Sequence, residues 1–260
     1  MNKFIISVLI VCILTLSVSP VSAQQINQLS DSSQHQYALK AIPTKTFLHR
    51  MVLPASFVLY GVFSLHNATL QDWNEDAQKR LESPNGNYTH LDNYIQYLPA
   101  VAGHILSIAG IKGKHKLFDR LMIDGMAAAI ATTVIFTVKR TTRETRPDLS
   151  DPYSFPSGHT ATAFASAELL RQEYKDVSPW YGIAGYGVAA LTGYLRMYNN
   201  KHWLGDVVAG AGVGIISAQL ANQLYPLVRK IIFHNKTPFA VILPAWQEGG
   251  PGVHMFYTIP

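Results

Sequence analysis

A chain of 260 residues can bury a sizeable core and still fold as one domain. It is 48% hydrophobic and only 14% charged, well below the roughly 25% charged of an average soluble domain. The net charge of +5 suits an anionic partner, but no arginine-rich stripe or nucleic-acid motif accompanies it, so nucleic acid is excluded and a phosphate-bearing small molecule or lipid is favoured.

Taken in chain order, residues 1–23 read as a secretory signal peptide. Lys3 supplies a positive start, residues 4–16 are apolar, and Val21, Ser22 and Ala23 offer small residues for cleavage. An uncleaved anchor helix is the rival reading, and the apolar run is short for it. The single cysteine, Cys12, lies in this segment, so the exported chain would have no disulfide, thiol chemistry or cysteine-bound metal. Residues 24–50 form a polar, Gln- and Ser-rich arm. Residues 51–66 are the first strong apolar segment, and 67–96 are polar with a turn signal at residues 83–87. Apolar segments follow at 97–111, 121–138, 181–195 and 206–224, with a shorter alanine-rich helix at 160–171. The pattern predicts an all-α fold, a helical bundle of about six core helices in a domain over 51–230. In the tail, 231–260, two β-type runs flank Glu248, Gly249, Gly250, Pro251 and Gly252 and predict a small C-terminal β-hairpin.

Several apolar segments hold only about 15 residues, roughly 22 Å of helix against a hydrocarbon core of about 30 Å. The loop with Lys112, Lys114 and Lys116 would sit inside by charge bias, which puts residues 139–147 and His202 outside. Traced backwards, residue 51 would then begin inside, whereas a cleaved signal peptide puts Gln24 outside. Either one segment does not span, or the bundle is a periplasmic domain that touches the membrane. The expected location is the periplasm, membrane-associated, peripheral or integral, with the site on the periplasmic side.

Three constellations sit at ends of apolar segments. Lys139 precedes Arg146 and Pro147 with six residues between lysine and arginine. Pro156, Ser157, Gly158 and His159 follow, and Arg196, His202 and Asp206 are spaced R-x5-H-x3-D. Displacement at a phosphate ester spreads charge over three equatorial oxygens, so catalysis depends on positioning and preorganised positive charge. Lys139, Arg146 and Arg196 can supply that charge, each arginine in bidentate fashion. Ser157 can add a hydroxyl, and Gly158 backbone N–H groups at a helix N-terminus that an oxygen can approach closely. Asp206 can orient His202 by accepting from one ring nitrogen, leaving the other to attack phosphorus. His159 remains as the acid for the leaving oxygen and then the base that activates water. The set needs no metal and no cofactor. Taken singly, each feature has a plainer reading: an N-cap at Asp206, a turn into a helix at Ser157, surface arginines at 143 and 146. Their joint occurrence, in order, favours catalysis.

These motifs resemble those of the type 2 phosphatidic acid phosphatase superfamily, K-x6-RP, PSGH and SR-x5-H-x3-D, over about residues 51–227. The resemblance implies a helical bundle, a phosphohistidine at His202 oriented by Asp206, and leaving-group protonation by His159. It likewise implies phosphate binding by Lys139, Arg146, Ser157, Gly158 and Arg196. Leu195 stands where the family has serine, which puts a secondary contact in doubt. The chain looks most similar to envelope members from Bacteroidetes-type bacteria, some of whose relatives dephosphorylate lipid A. The expected substrate is an envelope lipid phosphate of the lipid A, isoprenyl pyrophosphate or phosphatidate type. Alternatives are a periplasmic acid phosphatase acting on soluble esters, a vanadate-dependent haloperoxidase, and an inactive lipid-binding protein. The oligomeric state is left open.

Overall fold

The computed structural model describes residues 44–233 and the backbone of 239–247 and 250–258. The expected signal peptide and residues 24–43 of the arm lie outside the described residues. Eight helices are present among the described residues: α1 (Thr44–Ser64), α2 (Ala68–Leu81), α3 (Asp92–Ile95), α4 (Leu98–Ile108), α5 (Leu117–Thr142), α6 (Gly158–Tyr174), α7 (Pro179–Tyr198) and α8 (Leu204–Phe233). Six of them coincide with the six segments expected from apolar patterning, and the fold is all-α. The backbone of β1 (Phe239–Gln247) and β2 (Gly250–Thr258) runs antiparallel, with Phe239 opposite Thr258 and Gln247 opposite Gly250.

Two boundaries correct the sequence reading. Helix α1 begins at Thr44, inside the segment read as a polar arm. The stretch 67–96, read only as polar with a turn at 83–87, contains α2 and α3. Helix α2 starts where the Asn67 side chain accepts from Leu70 N at 3.1 Å, an N-cap that needs no apolar periodicity to announce it.

Helix α8 is the central element, packed against α1, α5 and α6, while α7 covers the other side of α6. The seam is built from small side chains: Ala161, Ala163, Ala167, Ala189, Ala209, Ala218 and Ala221 are fully buried. Backbones therefore approach closely. A Cβ on Gly214 would stand 2.2 Å from the Ala161 carbonyl oxygen, and one on Gly210 would stand 2.6 Å from that of Ser157. Glycine is required at both positions for α8 to lie against α6, a packing mode suited to helices that gain little from burying larger apolar groups.

The helices also outrun the apolar segments that foretold them. Helix α5 has 26 residues and α8 has 30, about 39 and 45 Å at 1.5 Å per residue, so the length objection to crossing a bilayer of about 30 Å falls away. Three stretches, Phe47–Ser64, Leu117–Thr142 and Leu204–Ile232, are long and apolar enough to cross a membrane. The first and second are mostly unburied by protein, and large apolar side chains such as Val52, Leu59, Phe63, Leu121 and Phe136 face outward. Such flanks have no place in water, and the bundle is membrane-associated.

Candidate active site

One end of the bundle gathers the C-terminus of α5, the N-terminus of α6, the C-terminus of α7 and the start of α8. Arg143 closes α5 in a left-handed conformation, with φ 51°, and its N–H donates to Lys139 O at 3.2 Å. The loop then folds back: Ser154 N donates to Glu144 O at 2.9 Å, Arg146 N to Asp151 O at 3.1 Å, and Asp148 N to Asn200 O at 3.2 Å. Lys139 Nζ reaches the same loop, donating to Ser154 O at 2.9 Å and to Tyr153 O. Arg146 Nε donates to Asp151 Oδ1 at 2.9 Å, and Trp203 Nε1 to Thr145 O at 2.9 Å, which ties the loop to the start of α8.

His202 and Asp206 lie together as predicted, Nδ1 to Oδ2 at 3.2 Å. The carboxylate oxygen Oδ2 also accepts from Trp203 N at 2.9 Å and from Ser154 Oγ. Ser154 Oγ is itself 3.3 Å from His202 Nδ1. A carboxylate at Nδ1 keeps the proton there and leaves Nε2 with its lone pair, the tautomer a nucleophile needs. His202 is 1% exposed. Burial holds its ring well below the ordinary imidazole range, and the charges of Arg196, Lys139 and Arg146 push the same way.

His159, in the first turn of α6, is pushed down to about 4, by burial first and then by Arg196; Asp92 opposes the fall, and Arg146 and Lys139 add to it. The same three cations act on both imidazoles, so the predicted constellations converge at one end of the bundle. Ser157 caps α6: its hydroxyl oxygen accepts from Thr160 Oγ1 at 2.9 Å and caps Thr160 N, while its own N–H donates to Asp206 O at 3.0 Å. The Ser157 hydroxyl proton and the N–H groups of Gly158 and His159 have no intrahelical acceptor, as at any helix start. A Cβ on Gly158 would meet only Ile135, at 3.9 Å, so packing does not demand glycine there. Close approach of a bound oxygen is a reason that remains.

Arg196 carries the most telling feature. Its Nη1 donates to Asp92 Oδ2 at 2.5 Å, yet Nε is buried and has no acceptor among the described residues, in a side chain only 8% exposed. A buried cationic donor without an acceptor is costly unless an anion arrives to take it.

Four contributors escaped sequence reading. Ser154 sits in no motif, and only its contact with Asp206 reveals it. Asp92 and Asn93 come from α3, in the stretch read only as polar; Asn93 Oδ1 accepts from His159 Nε2 at 2.8 Å. Asn199 links α7 to the α3 segment, donating to Thr89 O at 2.7 Å and to Asp92 Oδ1 at 3.2 Å. A polar run between apolar segments carries no signal that would separate these residues from ordinary surface.

Comparison with known proteins bears on the same stretch. Residues 121–230 match the profile of the PAP2 superfamily. The chain is 32% identical over 253 residues to lipid A 1-phosphatase of Porphyromonas gingivalis, an alignment covering 96% of this chain and 56% of that protein. The chain thus spans about half the length of the curated relative it matches. Among solved structures it is similar to the transmembrane PAP2-type phosphatidylglycerolphosphate phosphatase from Bacillus subtilis, at 22% identity and TM-score 0.49, covering 68% of this chain and 97% of that one. It is also similar to Aquifex aeolicus LpxE, at 23% identity and TM-score 0.44, covering 58% of this chain and 95% of that one. The profile match encloses Lys139, Arg146, Ser157, Gly158, His159, Arg196, His202 and Asp206, and with it the chain carries a PAP2 superfamily domain across residues 121–230.

Proposed function

We propose that this protein is a phosphatase that removes a phosphate group from an envelope lipid through a covalent phosphohistidine at His202. The buried Arg196 Nε without an acceptor, facing the same end as two imidazoles, is the observation that carries the reading. Lys139, Arg146 and Arg196 hold the phosphate oxygens, with the Ser157 hydroxyl and the Gly158 and His159 N–H groups at the positive end of α6 completing the cradle. His202 Nε2 attacks phosphorus; the new N–P bond forms as the bond to the leaving oxygen breaks, and His159, protonated once the phosphate anion is bound beside it, delivers that proton to the leaving oxygen and becomes neutral. Asp206 stabilises the positive charge that grows on the His202 ring. Neutral His159 then takes a proton from water, whose oxygen attacks phosphorus and breaks the N–P bond, returning His202 and releasing inorganic phosphate. The side chains supply the positive charge that a metal ion would otherwise bring, so EDTA should leave turnover intact.

A lipid substrate is supported by the unburied apolar flanks of α1 and α5 and by the relative named as a lipid A 1-phosphatase. Lipid A is therefore the first substrate to assay, before isoprenyl pyrophosphate and phosphatidate. The lysines of the α4–α5 loop, Lys112, Lys114 and Lys116, favour the cytoplasmic side for the other end of the bundle and the periplasmic face for the site.

The test is rapid acid-free quenching of the protein with a ³²P-labelled lipid phosphate. Wild type should trap an acid-labile phosphoenzyme, and His202→Ala should trap none and lose turnover by at least about a thousandfold. Substantial residual turnover in a folded His202→Ala protein would remove this residue as nucleophile. Equal or better turnover of a soluble aryl phosphate would replace the lipid assignment with a non-specific acid phosphatase.

A further inference from the structure

The two imidazoles of the site have chemically different partners. His202 Nδ1 faces a carboxylate, Asp206, at 3.2 Å, whereas His159 Nε2 faces an amide, Asn93 Oδ1, at 2.8 Å. We propose that α3 is a positioning element of the active site, in which Asn93 orients His159 through an uncharged partner, so that the ring takes up a proton when the phosphate anion binds and releases it to the leaving oxygen, while Asp92 aims Arg196. The proposal rests on the phosphatase reading above.

Helix α3 has four residues and cannot be stable alone. Its place is set by hydrogen bonds to the last turn of α7. Thr89 N donates to Asn199 Oδ1 at 3.0 Å, Asn199 Nδ2 donates to Thr89 O at 2.7 Å and to Asp92 Oδ1 at 3.2 Å, and Arg196 Nη1 donates to Asp92 Oδ2. Asp92 is 1% exposed. A buried carboxylate beside a cradle for phosphate repels the substrate, so its presence calls for a return. That return is geometric: with Nη1 held by Asp92, the remaining edge of the guanidinium, including the acceptorless Nε, is turned to its task.

The choice of amide over carboxylate at His159 follows from what each ring must do. A carboxylate stabilises a ring that becomes positively charged, as His202 does when it bonds to phosphorus. At His159 it would hold the proton too firmly to pass it on and would slow the later removal of a proton from water. Asn93 orients the ring without charge. Arg196 from α7, Arg146 and Lys139 from the α5 end and loop, and Asp92 from α3 are the charged groups that bear on His159, and their balance disfavours the imidazolium until a phosphate arrives.

Asn93 is exposed, so replacing it should not unfold the protein. Two esters discriminate the roles: an aryl phosphate with a good leaving group and an alkyl phosphate with a poor one, which alone requires protonation. Asn93→Ala should lower kcat on the alkyl ester roughly tenfold or more beyond its effect on the aryl ester. In a His159→Ala background it should cause no further loss. Asn93→Asp should move the acid limb of the kcat profile to higher pH and make the phosphoenzyme accumulate. Equal losses on both esters, additive losses with His159→Ala, or an unmoved limb in Asn93→Asp would each overturn the inference. If His159→Ala discriminates between the esters and Asn93→Ala does not, the inference fails and the phosphatase reading stands. A wild-type protein that turns over neither ester nor lipid phosphate fails both.

Discussion

Replacing Asp206 by asparagine tests how much the site relies on a charge placed behind the nucleophile. The side chain keeps its shape, and an amide oxygen in the place of Oδ2 can still accept from Ser154 Oγ, Trp203 N and His202 Nδ1, so the protein should fold. What disappears is one negative charge 3.2 Å from the ring proposed to bond to phosphorus. At an effective dielectric of about 20, a full unit charge on the ring at that distance interacts with the carboxylate by about 5 kcal/mol. With half to all of the charge developed at the transition state, the loss is about 2.5–5 kcal/mol, or roughly 10²–10⁴ in kcat. The upper end agrees with the roughly 10⁴ fall seen when the corresponding aspartate of a serine protease becomes asparagine, which the tautomer argument also covers. KM should change little, because Asp206 touches the proposed nucleophile and not the residues proposed to hold the phosphate. The assay is phosphate release from a detergent-solubilised lipid phosphate, with Lys139→Ala as the contrasting variant whose KM should rise. A variant within about tenfold of wild type in kcat would refute the orienting and charge-stabilising role of Asp206.

Acidification gives a second check. His159 titrates near 4 in the folded protein against an ordinary value of 6.5, and His202 also lies well below that value. Between about pH 6.5 and 4 the unfolded chain binds a proton at position 159 that the folded chain refuses, so stability is fully present above 6.5 and is lost as pH falls through that window. Thermal unfolding in detergent should show this loss, with a shallower slope in His159→Asn and protection by inorganic phosphate or vanadate; identical slopes in the two proteins would contradict the assignment. Orientation can be read by labelling introduced cysteines on intact cells. Ser150→Cys, on the exposed loop at the site end, should react with an impermeant maleimide, and Lys114→Cys only after permeabilisation. The reverse pattern would put the site on the cytoplasmic side.

The six long helices were legible because each carries an apolar stretch, and three motifs at their ends announced the chemistry. Their true lengths were not legible, because Lys139 and Arg140 at the end of α5 and Arg229 and Lys230 near the end of α8 are polar residues that continue a helix where apolar patterning stops. Helix α2 was hidden for a related reason: apart from Trp73 and two leucines, its residues 68–81 are polar or small, and Asn74 and Gln78 are its buried side chains. Those amides bond to Gly205 N and Asn200, contacts that depend on where α8 and α7 end. The motif residues themselves could be found because their types are unusual together. Ser154, Asp92 and Asn93 could not, since a serine, an aspartate and an asparagine in polar stretches acquire a role only when distant chain segments bring them to Asp206, Arg196 and His159.

The course of the chain fixes which end of the bundle each helix starts from. Ser64 at the end of α1 lies against Gly205 at the start of α8, and Asp92 just before α4 meets Arg196 at the end of α7. At the other end, Lys114 N donates to Glu173 O near the end of α6, and Tyr225 far along α8 bonds to Asp119 at the start of α5. The long helices therefore alternate, and α1 begins at the end away from the site. A leader cleaved after Ala23 would start α1 on the outside and put the site within; the three lysines of the α4–α5 loop argue the opposite. If α1 and α5 both cross the membrane, the two signals exclude each other, because α1 runs only one way through the bundle; in a periplasmic bundle that only touches the membrane they are compatible. The periplasmic placement proposed above rests on the lysines, which lie in a short loop between helices, where charge bias acts most directly. At the site end Tyr88, Leu91, Tyr94 and Tyr97 stand exposed beside α3. Aromatic side chains with polar tips favour the depth of lipid headgroups. A soluble ester would have no use for such a rim, whereas a lipid whose phosphate lies at that depth would meet the aromatic rim and the cation cradle together.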